Sequence, residues 1–392
     1  MTSPVSTAIA EALVRARVTI ATHVPGFGAI QTFAEISRLL GTELPGSFHE
    51  EVAFGIAHGA SIAGKRAVCV IKSHGFAKAT NAIMDSLSSG VTAALVVLVF
   101  EDRGGTHSDN IIDIEPLVAG TGAPHKWAET ASIYADVEHA IAESERLKLP
   151  YVLMIDADTI DALTEIPEAN NSHAIAPTPE YCRDITQNVV VPAFGKYQRD
   201  VLLAKLAGTD WGKVERPHIP ELPTGLPPDY QRAVEPYLPI FEAFQEIPSD
   251  FVTGDTGVST LSALPPYNIV NATTYMGGSI PLGIGATLAG FQKVWSFTGD
   301  FSFIAAGHLG LIEARLRGTP LKIIIFANGK AQTTGGQPLD LDLMENILGG
   351  YAQYVRRIKD PFNRSEILTV LEEASAAPEL RIVIAEYTKS KQ

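Results

Sequence analysis

Continuous apolar runs that end in polar residues, alternating with amphipathic stretches, constrain this chain more than any other feature. RAVCVIK (66–72), TAALVVLVFED (92–102) and PYVLMID (150–156) lack the polar alternation of a half-exposed strand, so they need cover on both faces. Helical spacing marks the segments around them: AIAEALVRARV (8–18), EVAFGIAHGASIAG (51–64), FAKATNAIMDSLSSG (76–90) and DVEHAIAESERLK (136–148). The alternation returns after residue 236, with strands FVTGD, VWSFTGD, LKIIIFAN and RIVIAEY separated by LGIGATLAGF, AAGHLGLIEARLRG and EILTVLEEASAA. This pattern predicts an α/β chain of two doubly wound parallel-sheet domains, 1–166 and 236–392. Between them, 167–235 is expected to be a long surface linker with one helix at 197–206. Eleven of the chain's 25 prolines fall between Pro167 and Pro239, which disfavours regular elements there.

Charge and cysteine content narrow the function. Acidic side chains outnumber basic ones 44 to 30, a net charge of −14, and nucleic acid requires a basic footprint. The two cysteines, Cys69 and Cys182, cannot build a disulfide framework or ligate an iron–sulfur cluster. Every apolar run is shorter than the roughly 20 residues of a membrane span, and no signal-peptide pattern opens the sequence. The expectation is a soluble cytoplasmic protein without nucleic-acid or membrane partners.

Chemistry concentrates at the expected strand ends. Asp300 follows VWSFTG and Asn328 follows LKIIIFA, with one helix between. On neighbouring parallel strands these ends lie about 5 Å apart. A carboxylate and an amide oxygen there can share a hard cation such as Mg²⁺, which needs few protein oxygens when a substrate phosphate supplies the rest. Alternatively, Asp300 caps the next helix and Asn328 makes a turn.

Gly299-Asp300-Phe301 with Asn328 resembles the thiamine-diphosphate and metal signature, Gly-Asp-Gly followed by Asn, with Phe301 in place of the second glycine. The similarity extends to Tyr275-Met276-Gly277-Gly278-Ser279-Ile280, to Gly254-Asp255-Thr256-Gly257, and to QTTGGQP (332–338). It implies a pyrimidine-binding domain at 1–166 and a diphosphate-binding domain at 236–392. The closest resemblance is to the indolepyruvate:ferredoxin oxidoreductase large subunit, which carries a histidine where Gly336 stands here. The implied cofactors are thiamine diphosphate and Mg²⁺. The implied metal positions are Asp300, Asn328 and Lys330. The implied cofactor contacts are Glu50, Asp255, Thr256, Gly257, Met276, Gly278, Ser279, Ile280, Gly299, Asp300, Phe301, Ser302, Asn328, Lys330 and Thr334, with Ile280 as the apolar wedge beneath the bent cofactor.

His49-Glu50-Glu51-Val52-Ala53 with Gly59 resembles the second signature, and alignment selects Glu50 as the residue that contacts the aminopyrimidine N1′. Proton exchange there lets the cofactor deprotonate its own C2, and burial among apolar neighbours is expected to tune the carboxyl. As a bare sequence, the acidic pair also fits a helix N-terminus. His23, His74 and His107 follow three expected strands of the first domain and are the candidate catalytic imidazoles. Lys72 and Arg103 are candidate carboxylate binders, and His58 is expected to be packed in a helix. Phe27, Phe54 and Phe76 could line an apolar pocket.

The related large subunit continues into a cysteine-rich ferredoxin domain that this sequence does not contain. The expected reaction is therefore decarboxylation of a 2-oxoacid, by analogy an aryl-pyruvate, to an aldehyde, with carboligation as an extension. Two alternatives remain: an oxidoreductase subunit with separate iron–sulfur partners, and an inactive cofactor-binding scaffold. The resemblance implies a homodimer or homotetramer.

Overall fold

The computed structural model describes residues 2–168 and 177–388. Residues 169–176 of the expected linker, Met1 and residues 389–392 lie outside them. The chain divides into two compact units, Met1–Cys182 and Arg183–Gln392. Among the described residues, no helix is long and apolar enough to cross a membrane.

The first unit contains strands β1 (Thr2–Pro4), β2 (Ile20–His23), β3 (Ala67–Lys72), β4 (Leu95–Glu101), β5 (His125–Trp127), β6 (Tyr151–Asp156) and β7 (Leu163–Glu165). Five form a parallel sheet in the order β2-β3-β4-β6-β5, while β1 and β7 pair as an antiparallel ribbon. Strands β3 and β4 are buried almost throughout, as unbroken apolar runs require. Val68, Val70, Val96, Leu98 and Phe100 share one core with residues of helices Val5–Arg15, Ala29–Leu40 and Ile133–Leu147. Helix Glu50–Ile62 packs on β2, β3 and β4 and against helix Ser73–Ser89. Strand β5 and helix Ala29–Leu40 are additions to the sequence-based expectation.

The second unit contains β8 (Phe251–Gly254), β9 (Ala272–Thr273), β10 (Val294–Gly299), β11 (Lys322–Ala327), β12 (Val355–Ile358) and β13 (Arg381–Glu386). They form one parallel sheet in the order β12-β13-β11-β10-β8-β9. Alternate residues Trp295, Phe297, Ile324 and Phe326 meet Phe241, Phe244, Ile367 and Leu371 in its core. Helix Ser279–Leu288 packs on β8 and β10.

The described part of the expected linker differs from expectation. Ile185, Val189, Val191, Phe194, Leu222, Leu226 and Val234 are all members of the second unit's core. The prolines explain how: Pro192 and Pro228 open the helices Pro192–Leu206 and Pro228–Val234, where a missing N–H costs nothing. Other prolines there, such as Pro177, Pro217 and Pro220, lie in irregular segments between these elements.

Phe194→Ala tests that assignment. Phe194 is wholly buried, and truncating such a ring costs about 3–5 kcal/mol. Urea unfolding of the full chain should show that loss in the transition of the second unit, whereas a surface linker would leave it unchanged.

Candidate functional site

Strands β8, β10 and β11 are consecutive neighbours, and their carboxyl ends present Asp255, Asp300 and Asn328. Register sets Gly299 beside Phe326 and Phe297 beside Gly254. The Asp300 carboxylate is buried and accepts two backbone N–H groups, Phe301 at 2.7 Å and Gly329 at 2.6 Å. Burial still raises its pKa, against the lowering effect of those hydrogen bonds. The Asn328 amide is oriented from both ends. Its Nδ2 donates to the Tyr237 hydroxyl at 2.6 Å, and its Oδ1 accepts from the Lys330 N–H at 2.9 Å. Tyr237 is itself fixed against Phe326 and Tyr387, and burial pushes its phenol up to about 12.

Asp300, Asn328 and Tyr237 line one cavity. Its lining includes the expected Thr256, Gly257, Met276, Gly299, Asp300, Phe301, Ser302, Asn328, Lys330 and Thr334. Gln332, the first residue of QTTGGQP, also lines it, as do Tyr237, Val258 and Ser259, which no sequence signal singled out. After Asp300–Ser302 the chain widens into a π-helical turn, Phe303–Gly307, before the α-helix His308–Leu316; such bulges are common beside functional sites. Gly329–Leu339 folds back on itself through Lys330 paired with Pro338, with Gly335 and Gly336 in the left-handed region.

Four of the contacts expected from the second unit do not line the cavity, and the fifth absentee, Glu50, belongs to the first unit. Ile280 is fully buried, packed beneath Gly310 in the helix layer. Met276 and Phe301, each 40% exposed, are large apolar side chains at the cavity wall, and Ile280 is not in its lining. Gly278 and Ser279 begin the helix Ser279–Leu288 instead, and a Cβ at Gly278 would stand 2.5 Å from Thr274. Asp255 lies behind the wall, fully buried. Its Oδ2 accepts from Thr298 Oγ1 at 2.7 Å, Gly277 N at 3.0 Å and Ser279 Oγ at 3.4 Å, while Oδ1 has no hydrogen-bond partner. Gly277 reaches this bond at φ 86°, where a Cβ would meet Gly307 at 2.7 Å.

A second cavity lies in the first unit, at the carboxyl ends of β2, β3 and β4. Val24, Pro25, Glu50, Lys72, His74, Gly75, His107, Ser108, Asp109 and Asn110 line it. Glu50 opens the helix Glu50–Ile62, where an acidic side chain complements the dipole. Its surroundings are not the expected apolar ones, because Lys78 Nζ stands 2.9 Å from Oε2. Neighbouring Glu51 instead accepts from Asn81, and burial raises its pKa. His74 Nε2 meets Asn110 Oδ1 at 2.6 Å, so with this amide orientation it is the proton donor. His107 stacks on Phe27 at 3.6 Å.

Other candidates stand elsewhere. His23 is buried and stacked on Phe33 at 3.6 Å, away from the cavity lining. The Arg103 guanidinium lies over the Trp127 ring. His58 is a core residue bonded to Gly90 O, its pKa lowered to about 4 by burial. Phe54 and Phe76 are wholly buried.

Residues 254–376 match the family described as thiamine pyrophosphate enzyme, C-terminal TPP binding domain. Over 221 residues the chain is 28% identical to an indolepyruvate oxidoreductase subunit IorA of Methanothermobacter thermautotrophicus, covering 50% of this chain and 35% of that protein. The same subunit of Archaeoglobus fulgidus is 28% identical over 53% of this chain and 34% of its own length. The chain thus spans about a third of the length of these relatives. Among solved structures, the thiamine diphosphate-dependent 4-hydroxybenzoylformate decarboxylase of Rhodococcus jostii RHA1 superposes with TM-score 0.68 at 15% identity, covering 98% of this chain and 99% of that one. The benzoylformate decarboxylase of Polynucleobacter necessarius gives 0.64 at 12% identity, covering 98% of each. At these identities the likeness is one of fold.

The buried Asp255 carboxyl gives a pH test. Burial raises its pKa from 3.8 to about 7. The folded chain therefore holds a proton that the unfolded chain releases, and stability falls as pH rises from about 4 through 7. Between pH 5 and pH 8 this group contributes a loss of about 3 kcal/mol. Urea unfolding of Asp255→Asn should show a correspondingly flatter pH dependence; equal slopes in mutant and wild type would refute the burial argument.

Proposed function

We propose that this chain, a member of the thiamine-diphosphate-dependent 2-oxoacid enzyme superfamily, decarboxylates a 2-oxoacid to an aldehyde without oxidation. The observation that carries the reading is the oxygen set of Asp300 and Asn328 at adjacent strand ends, inside the matched region 254–376. The Asp300 carboxylate is buried and has no cationic partner among the described residues, so a divalent cation fits there. A carboxylate, an amide oxygen and a backbone carbonyl are the hard donors Mg²⁺ prefers. Asp300, Asn328 and the Lys330 carbonyl would hold the metal. Thr256, Gly257, Ser302 and Thr334 would face the diphosphate, and Met276 would support the cofactor's body.

Thiamine diphosphate, when bound, supplies an electron sink for the bond pair left as CO₂ departs. The remaining work falls to the chain. Glu50, with Lys78 Nζ 2.9 Å from its Oε2, would exchange a proton with the cofactor's N1′. His74, oriented by Asn110, would deliver a proton to the former carbonyl carbon. In net terms the bond between carboxylate and carbonyl carbon breaks, CO₂ leaves and one proton takes its place. No oxidant is needed for that balance.

Oxidative release would need an electron acceptor. Cys69 is fully buried with its thiol pushed up to about 12, and Cys182 is the other of the sequence's two cysteines. These residues cannot ligate a four-iron cluster. The second reading, favoured by the oxidoreductase relatives, is that separate partners carry the acceptor. We further propose assembly as a homodimer or homotetramer, checked by sedimentation velocity.

Purified protein with thiamine diphosphate and Mg²⁺, offered a panel of 2-oxoacids, should release CO₂ and aldehyde in equal amounts. CO₂ release only with an added dye or ferredoxin would establish the oxidoreductase reading instead. Asp300→Ala should lose Mg²⁺-dependent cofactor binding in a calorimetric titration. Glu50→Gln should keep the cofactor bound but slow hydrogen–deuterium exchange at its C2 by about 10²–10⁴-fold; wild-type exchange would remove Glu50 from the role.

A further inference from the structure

We propose that the cavity around Lys72 receives a second acid group of the substrate, which makes that substrate a short 2-oxoacid bearing a distal carboxylate, sulfonate or phosphonate. The inference rests on the decarboxylase reading and adds the substrate class to it.

The first observation is how Lys72 is held. Its stem passes Gly26 so closely that a Cβ there would stand 2.5 Å from the lysine Cγ and 2.6 Å from Cδ. Glycine at 26 is what allows the ammonium to reach the cavity. Nζ then donates to Ser108 Oγ at 2.7 Å and to the His107 carbonyl at 3.4 Å. Both acceptors are neutral, although Ser108 in turn hydrogen-bonds the Asp102 carboxylate, so the ammonium meets that anion only through the hydroxyl, and a third N–H remains to donate. The nearby carboxylate of Glu50 is paired with Lys78. Asp109 stands exposed on the same rim.

The second observation is the rest of the lining. His74, His107, Ser108 and Asn110 make the wall polar, and its apolar members are Val24 and Pro25. The aromatic residues that would accept an aryl side chain are not available to it. Phe54 and Phe76 are wholly buried, and the Phe27 ring is stacked on His107. A charged, hydrogen-bonding wall fits an anion better than an aromatic ring.

The third step concerns which anion. An ammonium fixed on the departing carboxylate would stabilise the ground state more than the transition state, in which that charge is being lost as CO₂. Lys72 therefore serves catalysis better on an acid group that survives the reaction. A distal acid also anchors a short substrate, so that binding energy away from the reacting carbon orients it.

The test uses the full chain with thiamine diphosphate and Mg²⁺. Rates with oxaloacetate (corrected for spontaneous loss), sulfopyruvate and phosphonopyruvate are compared with pyruvate and phenylpyruvate. Binding of malonate, an unreactive dianion, is measured by calorimetry in parallel. The expected result is that kcat/KM favours a diacid, that the arms identify which acid group, and that Lys72→Met lowers that value on the order of 10²-fold, a larger loss than it causes on pyruvate. Gly26→Ala, which displaces the lysine stem while keeping its charge, should act in the same direction. Best turnover of phenylpyruvate, unaffected by Lys72→Met, would overturn the proposal. Should no 2-oxoacid be turned over, malonate binding that Lys72→Met abolishes would keep the anion site and remove the decarboxylase reading. Absence of malonate binding would remove the site itself.

Discussion

Two backbone N–H groups from different strand ends, those of Phe301 and Gly329, converge on the Asp300 carboxylate. The bond to Gly329 ties the exit of β10 to the exit of β11, so the position of Asn328 follows from the position of Asp300. Behind them Asp255 makes the equivalent connection one strand over, joining the exit of β8 to Thr298 on β10 and to Gly277. Each carboxylate sits where the sheet would otherwise leave orphan donors. The core below, with Trp295, Phe297, Ile324 and Phe326 interleaved, holds the strand ends in register. The cavity is thus a consequence of sheet packing, and its polar rim is assembled by the groups that terminate the strands.

The parts legible in the sequence were those set by local pattern. Unbroken apolar runs such as KIIIFA had to be central strands, and their polar successors had to lie at one edge of a sheet. What the pattern cannot give is which side of a turn a residue faces. Met276 and Ile280 are four residues apart and both apolar. Only the turn at Gly277 decides that Met276 faces the cavity while Ile280 packs under Gly310. His23 is a similar case: it ends β2 as expected, but its ring turns onto Phe33. Lys78, paired with Glu50, comes from the second turn of another helix, and no spacing rule links the two.

Proline was misleading for a physical reason. A proline cannot continue a helix but starts one well, and a count alone does not separate the two. The segment from 183 to 235 is therefore part of the second unit's core, and it leads directly into Tyr237. That phenol orients the Asn328 amide so that Nδ2 points away and Oδ1 stays on the Lys330 side. An asparagine whose two ends look alike in sequence acquires a defined oxygen through a residue 91 positions earlier.

The net charge of −14 sets the remaining problem, because the ligands proposed for both cavities are anions. At physiological ionic strength, charges beyond about 8 Å are largely screened, so the overall balance matters less than what lines each cavity. Both cavities carry a lysine, Lys330 in the second unit and Lys72 in the first. Asp300 is committed to backbone N–H groups and Glu50 to Lys78, whereas Asp109 on the rim of the first cavity is exposed to solvent. Asp300 differs in having no ion-pair partner among the described residues, which is the electrostatic reason for assigning a divalent cation to that cavity. Glu50 has its ammonium in place, and the first cavity's remaining positive charge, on Lys72, is then free to select substrate.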